Sequence, residues 1–136
     1  MSRNGDGPLS AAAKVQLALR IWWWYVRVRA GMRRAPLPAV VASLARQTAS
    51  RRAHSPARLS RAVHRSLRVG DRQPTCLVSS LVLFRLLRSQ GEPAELVIGL
   101  RENATDQTAH AWVELRGVDV GPPPGRGKHV EMARFG

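Results

Sequence analysis

An α+β fold, with helices first and a small antiparallel sheet after them, is predicted by three observations. Up to about residue 90 the apolar residues recur at three- and four-residue steps, the period of a helix. Over 95–101 and 109–116 they alternate, the period of a strand. Residues that end elements stand between these segments: Gly31, Ser55-Pro56, Gly91, Pro93 and Gly117. A length of 136 residues with 44% apolar content suffices for one domain around one core.

Taken in order, residues 1–10 are polar with Gly and Pro and are expected to be a flexible tail. Residues 11–121 form the single domain, its N-terminal half helical. Residues 11–31 read as a helix of good helix formers ending near Gly31. Trp22, Trp23 and Trp24 cover too much of its circumference for a clean stripe. Packing of these rings onto the rest of the domain or onto a partner subunit is the simpler use; contact with a membrane surface is the other. A short helix follows Pro38, with Val40, Val41 and Leu44 as its buried side. In the third, Ser55 is the N-cap and Pro56 the first helical residue, and Leu59, Ala62, Val63 and Leu67 share one face. Arg58, Arg61, Arg65 and Arg68 form a stripe beside it, either a solvated face or a docking surface for an acidic peptide or partner. The fourth helix runs from about Thr75 to Gln90, closed by Gly91 and stopped by Pro93. Leu77, Leu81 and Phe84 stack on one face, widened by Val78, Val82 and Leu86.

Strands follow over 95–101 and 109–116, joined by a polar loop at 102–108. Gly117 then turns the chain into a short third strand, 118–120. On the second strand the alternation sets His110, Trp112 and Glu114 on one face. The segment 122–136, opening on Pro122-Pro123-Pro124, is expected to be an irregular Pro/Gly-rich tail.

Charge narrows the function classes. There are 22 basic residues against 9 acidic, a net +13, so the surface attracts polyanions, acidic peptides or anionic lipid. No nucleic-acid-binding motif accompanies that charge, so a specific nucleic-acid partner is not expected. A single cysteine excludes an internal disulfide. His54, His64 and His129 are scattered and form no metal-ligand spacing, and there is no phosphate-binding loop. No metal or cofactor is therefore expected. The N-terminus lacks the layout of a signal peptide, and the uncharged run Ile21–Val26 is too short to cross about 30 Å of hydrocarbon. The protein reads as soluble and cytoplasmic.

The chemistry lies in the second half. A cysteine in the first turn of a helix sits among backbone N–H groups that have no partner within the helix. Their partial positive charge favours a thiolate. The same groups can bond the oxyanion formed when that thiolate attacks an amide. Cys76 holds this position. His110, on a following strand, is the candidate to hold the thiolate and protonate the leaving amine. The plain alternatives are a small buried cysteine and a hydrogen-bonded structural histidine.

Four segments in order bear on that choice: Cys76-Leu77-Val78-Ser79-Ser80-Leu81, Leu86-Leu87-Arg88-Ser89-Gln90-Gly91, Val97-Ile98-Gly99-Leu100-Arg101 and Ala109-His110-Ala111-Trp112-Val113-Glu114. Together they resemble the leader peptidases of lasso-peptide biosynthesis, members of the transglutaminase-like cysteine protease superfamily. The resemblance spans roughly residues 55–121. It implies a papain/transglutaminase-like core, with Cys76 as nucleophile and His110 as general acid/base. It also implies proteolytic removal of the leader from a ribosomally made precursor. The implied partners are the precursor leader peptide, a separate leader-recognition protein and a separate ATP-dependent macrolactam cyclase.

One position departs from that pattern. Where the family usually has an acid to orient the histidine, about a dozen residues after it, this sequence has Gly121-Pro122-Pro123. Asp119 is the nearest downstream acid. If Arg116-Gly117 is a two-residue turn, Asp119 stands opposite Glu114, on the order of 13 Å along the strand from His110. It then reaches the imidazole only if the hairpin is irregular. The alternatives are a Cys–His dyad oriented by a backbone carbonyl, an acid from elsewhere such as Asp106, or a weakened enzyme. A catalytically inactive, peptide-binding member of the same pathway is the corresponding second reading. Glu114 is assigned a structural or substrate-contacting role, and Trp112 either shields the site or belongs to the core.

Overall fold

The computed structural model describes residues 10–45, 54–68, 76–101, 109–121 and 129–136. Among them are four helices, α1 (Ala11–Arg34), α2 (Leu37–Leu44), α3 (Pro56–Leu67) and α4 (Cys76–Ser89). Four strands follow, β1 (Ala94–Arg101), β2 (Ala109–Leu115), β3 (Val118–Gly121) and β4 (His129–Phe135). The strands form one antiparallel sheet in the order β3-β2-β1-β4. This is the α+β arrangement expected, helices before a small sheet. Of the tail expected at 1–10, residues 1–9 lie outside the described residues, as do the segment 69–75 with Thr75 and the polar loop 102–108 with Asp106; Ser10 belongs to the start of α1.

Local chemistry accounts for the helix limits. Ser10 caps α1, its hydroxyl accepting the Ala13 N–H at 3.1 Å. Gly31 does not end the helix, which continues to Arg34. Pro36 ends it instead, because the residue before a proline is driven to extended backbone, and Ala35 has φ −143° and ψ 154°. In α2, Val40, Val41 and Leu44 are buried as the spacing requires. The carbonyls at its C-terminal end, Leu44 and Ala45, accept from the guanidinium groups of Arg85 and Arg88 at 3.3 and 3.4 Å, cations where the helix dipole favours them. Ser55 caps α3, accepting the Arg58 N–H at 3.2 Å, and Leu59, Val63 and Leu67 face inward.

The central element is α4, apolar nearly all round because it is enclosed nearly all round. Leu81, Val82, Leu83, Phe84 and Leu87 have no exposed surface. The other three helices cover one side of it, and β2 and β1 cover the other. It closes on Gly91 at φ 78°, where the Glu92 N–H returns to the Leu87 carbonyl at 3.0 Å.

In the sheet, Ala94, Leu96 and Ile98 pair with Leu115, Val113 and Ala111, and this face joins the helical core. The opposite face carries Glu95, Val97 and Gly99 paired with Glu114, Trp112 and His110. Between β2 and β3, Arg116 and Gly117 have φ 52° and 82°, left-handed at both positions as a tight hairpin turn demands.

The end of the chain differs from expectation. Residues 122–136 were expected to be irregular, yet His129–Phe135 form β4 along the free side of β1. The prolines and most of the glycines lie before residue 128, and the stretch from His129 to Phe135 contains neither. What recruits it is distant in sequence: Phe135 pairs with Leu96 and packs against the core. Among the described residues no helix is long and apolar enough to cross a membrane.

Candidate active site

Cys76 is the first residue of α4, so the helix places it where the N–H groups lack partners within the helix. Ser80 follows one turn later on the same side of the helix. It is fully buried, and its hydroxyl donates to the Ala111 carbonyl at 3.0 Å. Ala111 is the neighbour of His110 and lies two residues beyond Val113, the last β2 residue paired with β3. The short β3 therefore leaves this part of β2 to be met by α4. Because a buried carbonyl left without a donor costs about 1–3 kcal/mol, the Ser80 bond holds the first turns of α4 against the start of β2. The backbone thus brings the Cys76 end of α4 and the His110 end of β2 to one corner of the domain, with the His110 side chain on the sheet face opposite the helical core.

His110 is half-buried on the sheet face shared with Trp112 and Glu114, as its alternation predicts. Its partner across β1 is Gly99, which presents no side chain beside the imidazole. Trp112 is buried, and its indole N–H donates to Glu114 Oε2 at 2.8 Å. The other oxygen of Glu114 meets Arg134 Nη1 at 3.0 Å. Glu114 therefore has the structural role, fixing the indole two residues from the imidazole.

Arg134 gathers three carboxylates: Glu114, Glu95 at 3.2 Å and Glu131 at 2.7 Å. It ties β4 to β1 and to the side chains of the His110 face. Its hydrogen bond to Glu131 holds that carboxyl below the ordinary value of 4.5, and its charge acts in the same direction. A carboxylate with a lowered folded-state pKa stabilises the fold above its unfolded value, and that contribution is lost as pH falls through the folded value. Arg134→Met should therefore lower the melting temperature at pH 7, and the gap from wild type should close as pH drops below 4.5. Because Glu131 is exposed, the gap should also shrink in salt. Thermal melts across pH at two ionic strengths check both; a pH-independent gap would contradict the charge argument.

Asp119 is placed opposite Glu114, where the two-residue turn puts it. It is exposed, and its Oδ1 accepts the Gly121 N–H at 2.8 Å, a bond within its own turn. The irregularity in the β2–β3 pairing lies between Val113 and Glu114, beyond Asp119, and does not draw it toward His110. Four residues of strand, about 13 Å, separate the two positions. The structure does not bring Asp119 beside His110.

Two contributors were not singled out from the sequence. Ser80 had a signal, a polar residue one turn from Cys76 in the most apolar stretch of the helix, between Val78 and Leu81. Arg134 had none, because its three partners are brought together only by the pairing of β4. Away from this corner, burial and the charges of Arg58 and Arg20 push the His54 pKa down, keeping that imidazole neutral at pH 7. Among the described residues no three His, Cys, Asp or Glu side chains gather as metal ligands would.

Neither a curated protein nor a solved structure matches the chain. The sequence profile of one family does, and it covers the helices and the sheet together. A helix that opens on a cysteine and precedes a small antiparallel sheet, a histidine on that sheet, and this match over residues 10–133 agree: the chain belongs to the transglutaminase-like superfamily, whose members are generally cysteine peptidases or transglutaminases.

Proposed function

We propose that this protein is a cytoplasmic cysteine peptidase that removes the leader from a ribosomally synthesised lasso-peptide precursor. The observation that carries the reading is the Ser80–Ala111 bond, which joins the helix of Cys76 to the strand of His110 at the residue next to the histidine. In this reading the Cys76 thiolate attacks the scissile carbonyl, and first-turn N–H groups of α4 bond the oxyanion. His110 gives its proton to the departing amine, leaving a thioester on Cys76. Water, deprotonated by His110, then attacks the thioester, releasing the leader carboxylate and restoring the thiol. The freed amine passes to a separate ATP-dependent macrolactam cyclase, and a separate leader-recognition protein presents the precursor.

Incubation of the purified chain with a lasso precursor and its leader-recognition protein tests this directly. Two fragments whose masses sum to the precursor plus one water are expected; an intact precursor would overturn the reading. The remoteness of Asp119 favours one rival, a peptide-binding member of the superfamily without turnover. Labelling Cys76 across pH separates them, since an unactivated thiol titrates near about 8.5.

The surface offers a place for an acidic leader. A groove of about 390 Å³ between α1 and α3 is lined by Lys14, Arg58, Arg61 and Arg65, with Leu17 and Ala62 among its apolar residues. Four cations and no acid line it, an arrangement that accelerates encounter with an acidic chain more than it tightens the complex. Replacing Arg58, Arg61 and Arg65 together by Gln should slow processing by roughly tenfold at low salt and much less at high salt, where screening already removes the attraction. Stopped-time cleavage assays at two ionic strengths check it; equal rates would exclude a role for the groove.

A further inference from the structure

Helix α1 carries two apolar faces, and only one is used by the fold. Leu17, Ile21 and Val28 are buried against the other helices, and Trp24 packs beside them under the Arg85 guanidinium, 4.8 Å from its ring. On the opposite side Val15, Leu19, Trp22 and Val26 recur at steps of four, three and four residues, with Trp23 alongside. These five are 37–65% exposed. They form a continuous apolar strip about 16 Å long at 1.5 Å per residue, too large and too regular to be a chance scatter of surface hydrophobes.

The charges around the strip identify what covers it. The 24 residues of α1 include Lys14, Arg20, Arg27, Arg29, Arg33 and Arg34 and no acidic residue. Arg27 and Arg20 border the strip on one side and Lys14 and Arg29 on the other, by their positions around the helix. Arg27 lies over the Trp23 ring at 5.5 Å, and Arg29 over Tyr25 at 5.6 Å, so cations and aromatic rings are interleaved at the border. A second copy of this chain would bring its own row of cations against these. A surface that is apolar within and anionic at its rim matches both features, and that is the chemistry of an anionic bilayer. Tryptophan rings at headgroup depth, arginines at the phosphates and aliphatic side chains below them are how a helix lies in that interface. Because no described helix is long and apolar enough to cross a membrane, the contact is a surface one.

We propose that the exposed face of α1 is a peripheral membrane-binding surface that seats the protein on bilayers containing anionic lipid. It is independent of the peptidase reading and does not require it.

The test uses the full chain with vesicles of equal parts phosphatidylglycerol and phosphatidylcholine, their acyl chains brominated near the headgroup so that inserted indoles are quenched. Its comparison is Leu19→Gln with Val26→Gln. Both positions are exposed, 65% and 60%, and the pair keeps every charge and every tryptophan. The wild type should partition onto the anionic vesicles with quenched fluorescence and bind pure phosphatidylcholine vesicles far less. The double variant, with an unchanged circular dichroism spectrum, should bind about tenfold or more weakly and lose the quenching. Equal binding by the variant without quenching in either protein would reduce the effect to the generic attraction of +13 and overturn the proposal. Equal binding to uncharged vesicles would overturn the anionic requirement. A wild-type dimer by light scattering that becomes monomeric in the double variant, with no quenching, would assign the strip to a second copy and overturn it as well.

Discussion

Cys76→Ala should abolish precursor cleavage, by at least about a thousandfold, while leaving the fold intact. The size of the effect follows from the division of labour in the proposed reaction. Without a thiolate no acyl intermediate forms, and the helix N–H groups and His110 are left to assist water alone. The fold survives because the contacts that hold this corner lie elsewhere: the Ser80–Ala111 bond, the enclosed face of α4 and the Trp112–Glu114–Arg134 chain do not involve Cys76. Wild type and variant should therefore share a melting temperature within a few degrees and differ in single-turnover cleavage followed by mass spectrometry. Undiminished cleavage by the variant would remove Cys76 from the mechanism. If the variant neither cleaves nor folds, Cys76→Ser, nearly isosteric and a far weaker nucleophile at neutral pH, supplies the same comparison.

What the sequence made legible was local. Ser55-Pro56 announced the start of α3, and the observed cap is a hydrogen bond from the Arg58 N–H to that serine's hydroxyl. Gly91 announced the end of α4 and adopts the left-handed conformation a helix terminus uses. A two-residue turn at Arg116-Gly117 sets the β2–β3 register by counting, and Asp119 does stand opposite Glu114. Each of these depends on residues within a few positions of one another.

What was not legible depended on pairs far apart in the chain. Gly31 looked like a helix stop, but its backbone remains helical with Val40 of α2 only 3.9 Å from where a side chain would begin, and Pro36 sets the end. The last strand was hidden by the prolines before it and by the distance to β1, and with it went the role of Arg134. The Ser80 bond joins residues 31 positions apart, and no spacing rule relates a helix hydroxyl to a strand carbonyl across that interval. The site is accordingly half readable. The reactive types and their order are visible in the sequence, and the groups that hold them in place are visible only in the fold.

Phe84→Ala should cost about 3–5 kcal/mol of stability, a large part of the about 5–15 kcal/mol that holds a typical domain together. Phe84 has no exposed surface and sits two turns beyond Cys76 in the helix that every layer of the fold packs against. Its ring is also a support for Arg88, whose guanidinium lies 5.2 Å over it while bonding the carbonyls of Ala94 and Ala45. Truncation leaves a cavity enclosed on all sides, whose walls collapse only in part, and it frees the cation that joins the ends of α2, α4 and β1. The loss of activity should then differ in kind from that of Cys76→Ala. It should grow with temperature as the unfolded fraction grows, and recover substantially on cooling or on replacement by Leu, which refills most of the volume. Melting curves and cleavage rates measured at a low and a high temperature distinguish the two: a Phe84→Ala protein fully folded yet inactive at both would mean that α4 contributes to the chemistry beyond its first turn.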